Sequence, residues 1–519
     1  MLAKSQYVVY CLCHRKAWLD LFNQLPSNPN GTRTQTGNEV GLLARDYFGK
    51  GMCHFVDPNM VPTTPGLYAE YPLTDGKNLL CYVDILRINN DNSIDIYEVK
   101  STTDYRSGKS MEKKYLEDLS FQYYVAYKIG LAIKSINIIY LNKNYLYMGG
   151  SYDLNQLFIV DDVTAEISTR TQIVEDNIKG YFALDANNEI GCSFTGACSE
   201  YGGCQYLDIC KKYKGLPNHN SVYDLYECQS KSKYIDEGIL SFKELIETPY
   251  FETLSAFNQR MVIYSLQGIK RPYVNKEMLN DKFLKNIQFP LYFFDFETVS
   301  EALPIYPNSR PYQKIPFQYS LHIMNDANED YKSIVASNKY FLGNGVDDPR
   351  EELIKQMIAD LGDKGSIMAY NMSFEKECIE KLAKDFPNYA KKLEKLSKRF
   401  IDLAIAFDFK ERIGWKSRTP DSDPVNRSTS LVYHPLMGPS TSIKQVLPAF
   451  FPNDHELDYS KLGQVQHGDQ ASDSYIQLGI SSKLSPSQKQ LLRKDMLDYC
   501  CLDTKAMVAI YFELLNLAS

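Results

Sequence analysis

The run LYFFDFET at residues 291–298 limits what the C-terminal half of this chain can fold into more than any other segment. Its apolar residues predict a buried strand, and because successive side chains of a strand point to opposite faces, Asp295 and Glu297 share one face. Two buried carboxylates that face each other are prohibitively costly unless cations occupy the space between them. The run therefore predicts a metal site on a strand of an α/β domain.

The residues that follow continue the α/β pattern and add further polar groups. The predicted elements are a strand at Phe317–Met324, a strand around Ile334–Leu342, an amphipathic helix at Arg350–Leu361 and a strand in SIMAYN at residues 366–371. A helix that opens around Glu375 comes next, and a long helix begins near Ser485. In that long helix Tyr499 and Asp503 are four residues apart and share one face, which suits a tyrosine that positions water beside a metal-bound aspartate.

This ordered set of motifs resembles the DEDD exonucleases, the RNase H-like family of polymerase proofreading subunits, over residues 289–519. The resemblance implies that the catalytic residues are Asp295, Glu297, Glu375, Tyr499 and Asp503, and that Asp295, Glu297 and Asp503 bind the metal. Asp402 competes with Glu375 for the second motif. The residue five positions before Asp503 is Asp498 and not histidine, so the tyrosine subtype is expected. A generic α/β domain with surface acids is the alternative interpretation.

The N-terminal part needs a domain of its own, because 519 residues exceed what one hydrophobic core usually supports. Its pattern is helical over residues 1–50 and then changes. The predicted elements that follow are a hairpin of Leu79–Ile88 and Ile94–Lys100, a helix at residues 115–130 and a strand at Ile136–Leu141. The order is helix, hairpin, helix, strand.

Asp84, Glu98 and Lys100 are the polar groups of that hairpin that carry possible chemistry. Glu98 and Lys100 share one face of their strand, and Asp84 lies on the paired strand. Two carboxylates can hold a divalent cation that activates water, and a nearby lysine can stabilise charge on phosphorus. Taken alone, the same residues also fit a solvated strand face with a surface ion pair.

Four cysteines recur in GCSFTGACSEYGGCQYLDIC with five residues between neighbours, and another lies far upstream at Cys13. The four are Cys192, Cys198, Cys204 and Cys210. Metal or cluster binding is favoured over buried free thiols, because the segment is too rich in glycine and polar residues for apolar packing. Iron–sulfur is favoured over zinc, since the short CxxC gaps that are typical of structural zinc do not occur here.

Together the N-terminal motifs resemble RecB-like nucleases of the PD-(D/E)XK superfamily over residues 7–210. The motifs are Trp18-Leu19, Thr36-Gly37-Asn38-Glu39-Val40-Gly41, Asp84, Glu98-Val99-Lys100, Phe121-Gln122-Tyr123-Tyr124 and the cysteines. The likeness is closest to the branch with an iron–sulfur cluster, which includes the CRISPR adaptation nucleases. It implies that Cys13, Cys198, Cys204 and Cys210 hold a [4Fe–4S] cluster, that Asp84 and Glu98 bind metal, that Lys100 is catalytic, and that Glu39 and Gln122 are accessory active-site residues.

Both halves together resemble a bacterial family that fuses a RecB-like nuclease to a DnaQ-like exonuclease. The expected architecture is a multidomain α/β protein with a nuclease domain at residues 1–210, a helical connector at 211–288 and an RNase H-like exonuclease domain at 289–519. The expected function is hydrolysis of DNA phosphodiesters with Mg²⁺ or Mn²⁺, running 3′ to 5′ at the C-terminal site. The alternatives are an RNA-directed exonuclease, or a nucleic-acid clamp in which one fold is inactive and serves a protein partner.

Composition sets the remaining expectations. The apolar runs are far too short to span a membrane, and the N-terminus has no secretion signal, so a cytoplasmic protein is expected. A net charge of −7 argues against coating nucleic acid by bulk charge. The basic stretches Lys391–Arg399 and Lys410–Arg418 flank a nucleic-acid path or are solvated surface, and Arg418–Ser430 is expected to be a surface loop.

Overall fold

The chain divides into two compact units, both of which are mixed α/β, as expected for a multidomain α/β protein. The computed structural model describes residues 1–23, 31–57, 61–106, 109–198, 203–408, 430–480 and 484–519. The first unit comprises Met1–Lys214 with Glu301–Gln313, and the second comprises Gly215–Ser300 with Lys314–Ser519. Among the helices of these described residues, none is both long enough and apolar enough to cross a membrane.

The first unit alternates helices and strands along its length. Its strands are β1 (Leu2–Ala3), β2 (Cys53–Phe55), β3 (Gly66–Thr74), β4 (Leu79–Ile88), β5 (Ile94–Lys100), β6 (Ile133–Leu141) and β7 (Phe158–Asp162). Its helices are α1 (Lys4–Leu12), α2 (His14–Phe22), α3 (Gly31–Asp46), α4 (Lys109–Lys128), α5 (Leu154–Leu157), α6 (Thr164–Ser168), α7 (Thr171–Phe182) and α8 (Leu207–Tyr213). The predicted hairpin is confirmed with the predicted bounds.

Within the described residues, these strands form one seven-stranded sheet in the order β2-β3-β4-β5-β6-β7, with β1 beside β4. Strands β4 and β5 are paired only from Ile85 opposite Tyr97 to Ile88 opposite Ile94. At the other end of β4, Leu79 pairs with Leu2 of β1 instead. The sheet therefore opens between β4 and β5 just where Asp84 and Glu98 lie, and α1 begins next to this opening.

Both faces of this sheet are covered. Its strands therefore carry apolar side chains that point to both faces, and not only to one. One core contains Tyr7 of α1, Phe121 of α4 and Ile96 of β5. The core on the other face contains Val40 of α3 and Tyr97 of β5. Glu98 follows Tyr97, so its side chain points towards the face that α1 and α4 cover.

The second unit also combines helices with sheet. Its strands are β8 (Tyr273–Val274), β9 (Leu291–Val299), β10 (Ile315–Met324), β11 (Asn338–Leu342), β12 (Ser366–Ala369), β13 (Phe400–Asp402) and β14 (Val432–Tyr433). Its helices are α9 (Lys231–Asp236), α10 (Phe242–Leu245), α11 (Ala256–Gln267), α12 (Lys276–Lys282), α13 (Tyr331–Val335), α14 (Arg350–Leu361), α15 (Ser373–Asp385), α16 (Ala390–Ser397), α17 (Ile443–Phe450), α18 (Gly468–Ile480) and α19 (Pro486–Ala518).

Strand β9, the LYFFDFET run, is the middle strand of a sheet that has the order β11-β10-β9-β12-β13 in the described part of the unit. It pairs antiparallel with β10 and parallel with β12. Phe293 packs in a core with α19, and Phe294 packs in a core with α14 and α15 on the other face. Because both faces are covered, the strand is apolar on both sides, as predicted.

Several predicted elements need adjustment. The strand expected around Ile334–Leu342 begins only at Asn338, because Tyr331–Val335 is a helix that Asp330 caps through its side chain. The predicted connector, residues 211–288, contains the short helices α9 to α12, and from Gly215 onward it groups with the second unit. The basic stretch Lys410–Arg418 and all of the expected surface loop except Ser430 lie outside the described residues.

Gly365 allows β12 to lie close to β9, and this yields a first prediction. Its φ is +83°, and a Cβ there would collide with the backbone carbonyl oxygen of Pro290. We expect Gly365→Ala to lower the free energy of unfolding by at least about 1 kcal/mol, because both the positive φ and the collision penalise a side chain. Gly41→Ala is the control, since nothing lies near its Cβ position in a helix; it should leave the melting temperature equal or higher. Equal melting temperatures for the Gly365→Ala and unmodified proteins would contradict the prediction.

Candidate active sites and a cysteine cluster

A pocket of about 330 Å³ in the second unit gathers the predicted C-terminal site residues. Strand β9 contributes Asp295 and Glu297 from one face, as their i, i+2 spacing requires. Helix α15 contributes Glu375 from its first turn, and α19 contributes Tyr499 and Asp503 from successive turns. The remaining lining residues are Phe296, Tyr370, Asn371, Phe374, Ser442, Ile443, Lys444 and Met507.

The carboxyl groups of this pocket repel one another in a buried setting. Burial and the charge of Asp503 raise the pKa of both Asp295 and Glu297 well above the ordinary range. Burial raises the pKa of Asp503 to about 6 and that of Glu375 to about 8. Raised values throughout a cluster show that its negative charge lacks sufficient positive compensation from the protein.

Glu375 and Asp402, the two acids that competed for the second motif, have different surroundings. Glu375 is 2% exposed, and among the described residues its Oε2 has no hydrogen-bond partner. Asp402 instead accepts hydrogen bonds from the backbone N–H groups of Asn371 and Ala404, at 2.9 and 3.0 Å. The carboxylate of Asp402 is thus used in hydrogen bonds to the backbone, whereas Glu375 has an oxygen available for a ligand in the pocket.

Three residues of this site escaped the sequence analysis. Lys444 of α17 places its Nζ 3.3 Å from the hydroxyl oxygen of Tyr499. Tyr459 donates a hydrogen bond of 2.6 Å to Asp503. The thiol of Cys500, which is fully buried, lies 3.9 Å from Oδ2 of Asp295. Cys500 could have been found from its position beside Tyr499, but nothing local marks the other two residues.

The donor set fits a divalent metal ion. An orphaned carboxylate oxygen on Glu375 and mutually repelling acids are what a cation would satisfy, and an all-carboxylate set suits Mg²⁺ or Mn²⁺. Asp295, Glu297 and Cys500 each offer a ligand atom within 4.8 Å of the others. Asp295 and Glu297 are therefore the acids placed to hold such an ion, and Glu375 and Asp503 line the same pocket.

The predicted residues of the N-terminal site also come together, at the opening of the first unit's sheet. Lys100 Nζ lies 2.6 Å from Glu98 Oε1, and Gln122 Nε2 donates to Glu98 Oε2 at 2.7 Å. Asp84 accepts a hydrogen bond of 2.7 Å from the backbone N–H of Val99. The structure therefore brings Asp84, Glu98, Lys100 and Gln122 into one cluster.

Lys4 and Asp118 belong to the same cluster, although the sequence analysis missed both. Lys4 Nζ lies 3.0 and 3.1 Å from the two oxygens of Glu98 and 3.1 Å from Oδ1 of Asp118. Asp118 also accepts a hydrogen bond of 2.8 Å from Lys100. Its position four residues before Gln122 puts both on one face of α4, which was a usable signal. Lys4 is brought in by β1, and no local pattern predicts that.

Lys4 and Lys100 affect the pKa values of the acids in this cluster to different extents. Burial raises the pKa of Glu98 to about 7, and the charges of Asp118 and Asp84 add to that effect. For Asp118, burial acts in the same direction, but the ammonium groups of Lys100 and Lys4 outweigh it and lower the pKa. Positive charge from the protein itself therefore outweighs burial at Asp118 but not at Glu98 or Asp84, whose pKa values stay raised.

Glu39 is the accessory residue that the resemblance predicts for this site. It is exposed and lies on α3, whose Val40 packs against Tyr97 on the opposite face of the sheet from Glu98. The motif containing Glu39 lies in a helix, and the accessory role that the resemblance implies for Glu39 stays a prediction.

All the cysteines that were candidate ligands line one small cavity of the first unit. They are Cys13, Cys192, Cys198, Cys204 and Cys210. Cys13 stands between α1 and α2, and Cys210 lies on α8, so the cavity joins the two ends of the predicted nuclease domain. Thiols are soft ligands, and several of them around one cavity fit an iron–sulfur cluster.

Cys192 and Cys210 interact within this cavity. A hydrogen bond from the Cys192 thiol lowers the pKa of Cys210 to about 6, and the guanidinium of Arg15 contributes in the same direction. Burial raises the pKa of Cys13. Five candidate sulfur ligands for four positions leave the choice between Cys192 and Cys198 open.

Comparisons with known proteins bear on the second site. Residues 292–442 match the family described as "Domain of unknown function (DUF2779)". That match includes Asp295, Glu297 and Glu375 and ends before Lys444 and α19.

Curated relatives come from mycoplasmas. "Uncharacterized protein MG366 homolog" of Mycoplasma pneumoniae is 28% identical over 227 residues, which are 42% of this chain and 31% of that protein. "Uncharacterized protein UU173" of Ureaplasma parvum is 26% identical over 292 residues, 50% of this chain and 38% of that protein. The chain thus spans about a third of the length of these relatives.

The raised carboxyl pKa values in the pocket yield a second prediction. The folded unit retains protons on Asp503 and Glu375 that the unfolded chain releases, so without metal the free energy of unfolding falls as pH rises from about 4 to about 8. Glu375→Gln removes one of these charges. It should raise the metal-free melting temperature at pH 8 by at least roughly 2–4 °C, about 1 kcal/mol for a large domain, with little change at pH 5.

Glu352→Gln provides the matched control for this measurement, because Glu352 is an exposed residue in the first turn of α14. It should leave the melting temperature unchanged at both pH values. Mn²⁺ should stabilise the unmodified protein more at pH 8 than at pH 5. A lower melting temperature of Glu375→Gln at pH 8 would show that burial does not penalise the Glu375 carboxylate.

Proposed function

We propose that this protein is a metal-dependent nuclease that hydrolyses DNA phosphodiesters, with a 3′–5′ exonuclease centre in the second unit. The observation that carries the proposal is the convergence of Asp295, Glu297, Glu375 and Asp503 on one pocket beside Tyr499. The sheet order β11-β10-β9-β12-β13, with the acidic strand in the middle, supports an RNase H-like domain. RNA remains the alternative substrate.

The residues of the pocket have separable tasks in this reaction. A bound Mg²⁺ or Mn²⁺ supplies activation of water and neutralisation of phosphate charge. Burial raises the pKa of Tyr499, so its hydroxyl stays protonated and orients water by hydrogen bonding. Lys444 holds that hydroxyl at 3.3 Å and brings positive charge to the place where phosphate enters, while Tyr459 fixes the carboxylate of Asp503.

The first unit is proposed to be a second nuclease centre of the RecB-like type. Its support is the cluster of Asp84, Glu98, Lys100 and Gln122 at the opening between β4 and β5. A specific observation favours a nucleic-acid clamp as the second candidate: Lys4 contacts both oxygens of Glu98 and so competes with a cation for them. A nucleic-acid clamp requires no metal at this cluster. A nuclease requires the ammonium group of Lys4 to move away from Glu98 so that a metal ion can bind there.

The third prediction concerns direction and metal dependence. With Mg²⁺ or Mn²⁺, a 5′-labelled DNA strand should shorten progressively, while a 3′-labelled strand should release labelled mononucleotide at once. Asp295→Ala and Asp503→Ala should each lower this activity by orders of magnitude, because each removes a metal ligand. Tyr499→Phe should cost less, since the hydroxyl only orients water. RNA strands with the same labels, assayed in parallel, decide the substrate class.

Asp498→Asn is the control for these variants, because Asp498 lies on the same helix, is partly exposed, and pairs with Lys494. It should retain activity. Asp84→Ala should abolish a separate activity and spare the 3′–5′ reaction. If Asp84→Ala leaves every nuclease signal intact, the first unit is the clamp; label released from the 5′ end first would refute the exonuclease assignment.

The fourth prediction concerns the cysteine cavity, for which we propose a [4Fe–4S] cluster held by Cys13, Cys198, Cys204 and Cys210. Protein purified without oxygen should be brown and contain about four irons per chain. Substitution of any of these four by Ala should release iron and lower the melting temperature, because the cluster joins distant segments. Iron analysis and visible absorbance measure the outcome.

Two further variants sharpen this test. Cys53→Ala is the control, because Cys53 lies on β2 in the same unit but outside the cavity, and it should retain iron. Among the alanine variants of the cavity cysteines, Cys192→Ala should lose the least iron. Loss of iron in Cys192→Ala with retention in Cys198→Ala would exchange the two assignments, and stoichiometric zinc in colourless protein would exclude the cluster.

A further inference from the structure

Cys500 gives the carboxylate pocket a ligand that a magnesium site does not need. Its side chain is fully buried on α19, between Tyr499 and the turn that carries Asp503. The sulfur lies 3.9 Å from both the backbone oxygen and Oδ2 of Asp295. A buried thiol directed at a carboxylate cluster is a soft donor among hard ones.

The sulfur and the neighbouring acids are close enough to share one ion. Ligand atoms of Asp295, Glu297 and Cys500 lie within 4.8 Å of one another. In a tetrahedral zinc site with bonds of about 2.0–2.3 Å, ligand atoms are about 3.3–3.8 Å apart, so small side-chain rotations suffice. Independently, the buried Oε2 of Glu375 has no hydrogen-bond partner among the described residues and lines the same pocket.

We propose that the pocket binds a thiophilic divalent cation, Zn²⁺ or Cd²⁺, through Asp295, Glu297 and Cys500, and that this ion shuts off the metal-dependent reaction. On binding, the S–H bond of Cys500 breaks, its proton passes to solvent, and a metal–sulfur bond forms without any redox change. Zinc binds such mixed sites more tightly than manganese or magnesium does. Zinc held by this sulfur and the two acids would favour a tetrahedral arrangement, whereas Mg²⁺ prefers an octahedral one.

The inhibitory part of this inference rests on the proposed function, whereas the binding part does not. Cys501 is the matched control, because it is the next residue of α19 and about 100° around the helix from Cys500, where it is partly exposed. Full-length protein, Cys500→Ser and Cys501→Ser are titrated with Cd²⁺, and the thiolate-to-cadmium charge-transfer absorption is recorded. The N-terminal cysteines contribute equally to all three proteins.

We expect the unmodified protein and Cys501→Ser to bind one more thiolate-ligated Cd²⁺ than Cys500→Ser does. In Mn²⁺-supported hydrolysis of single-stranded DNA, with each protein normalised to its own zinc-free rate, half-inhibition of Cys500→Ser should need at least about tenfold more Zn²⁺ than that of Cys501→Ser. Cys500→Ala replaces Cys500→Ser if the serine variant loses its cooperative thermal transition.

Equal cadmium absorption in Cys500→Ser and Cys501→Ser would overturn the site. Extra cadmium bound by the unmodified protein without any inhibition by Zn²⁺ or Cd²⁺ would overturn the switching role. If the unmodified protein hydrolyses neither DNA nor RNA with Mn²⁺, the proposed function fails, and the cadmium titration still decides whether Cys500 is a ligand.

Discussion

Repulsion among buried carboxylates is the constraint on which the second unit depends. Asp295 and Glu297 occupy the central strand of a sheet that is covered on both faces, and their carboxyl groups line a pocket in which burial raises the pKa of both. Asp503 and Glu375 then add like charge from two helices. Such repulsion lowers the stability of the metal-free protein. A protein can tolerate that loss when the same acids serve its function, because activity and stability often trade off against each other.

The first unit meets the same problem in a different way. Its acids Glu98 and Asp118 are compensated by two ammonium groups of the protein, those of Lys4 and Lys100. In the second unit, Lys444 approaches Tyr499, but the acids keep raised pKa values. The lysines thus lower the pKa of Asp118 in the first cluster, although Glu98 keeps a raised pKa there, whereas all four acids of the second cluster keep raised pKa values. This contrast makes the second centre the stronger candidate for metal chemistry.

Backbone features, and not only side chains, create both sites. The opening between β4 and β5 exists because their pairing stops at Ile85 and Tyr97, which leaves the carboxylates of Asp84 and Glu98 beyond the last paired residues. In the second unit, Gly365 lets β12 approach β9, which fixes the strand that carries the acids. The cysteine cavity likewise depends on the chain returning at α8 to the turn at Cys13.

The sequence alone determined what local periodicity can encode. The i, i+2 spacing of Asp295 and Glu297, the i, i+4 spacing of Tyr499 and Asp503, and the hairpin with Asp84 and Glu98 each follow from the repeat of a strand or helix. The tertiary structure decided which distant segments meet these residues: Lys4 contacts Glu98 and Lys444 contacts Tyr499, while the helix that carries Glu39 packs on the other face of its sheet. No local pattern contains that information, because the position of a distant side chain results from the packing of the whole unit.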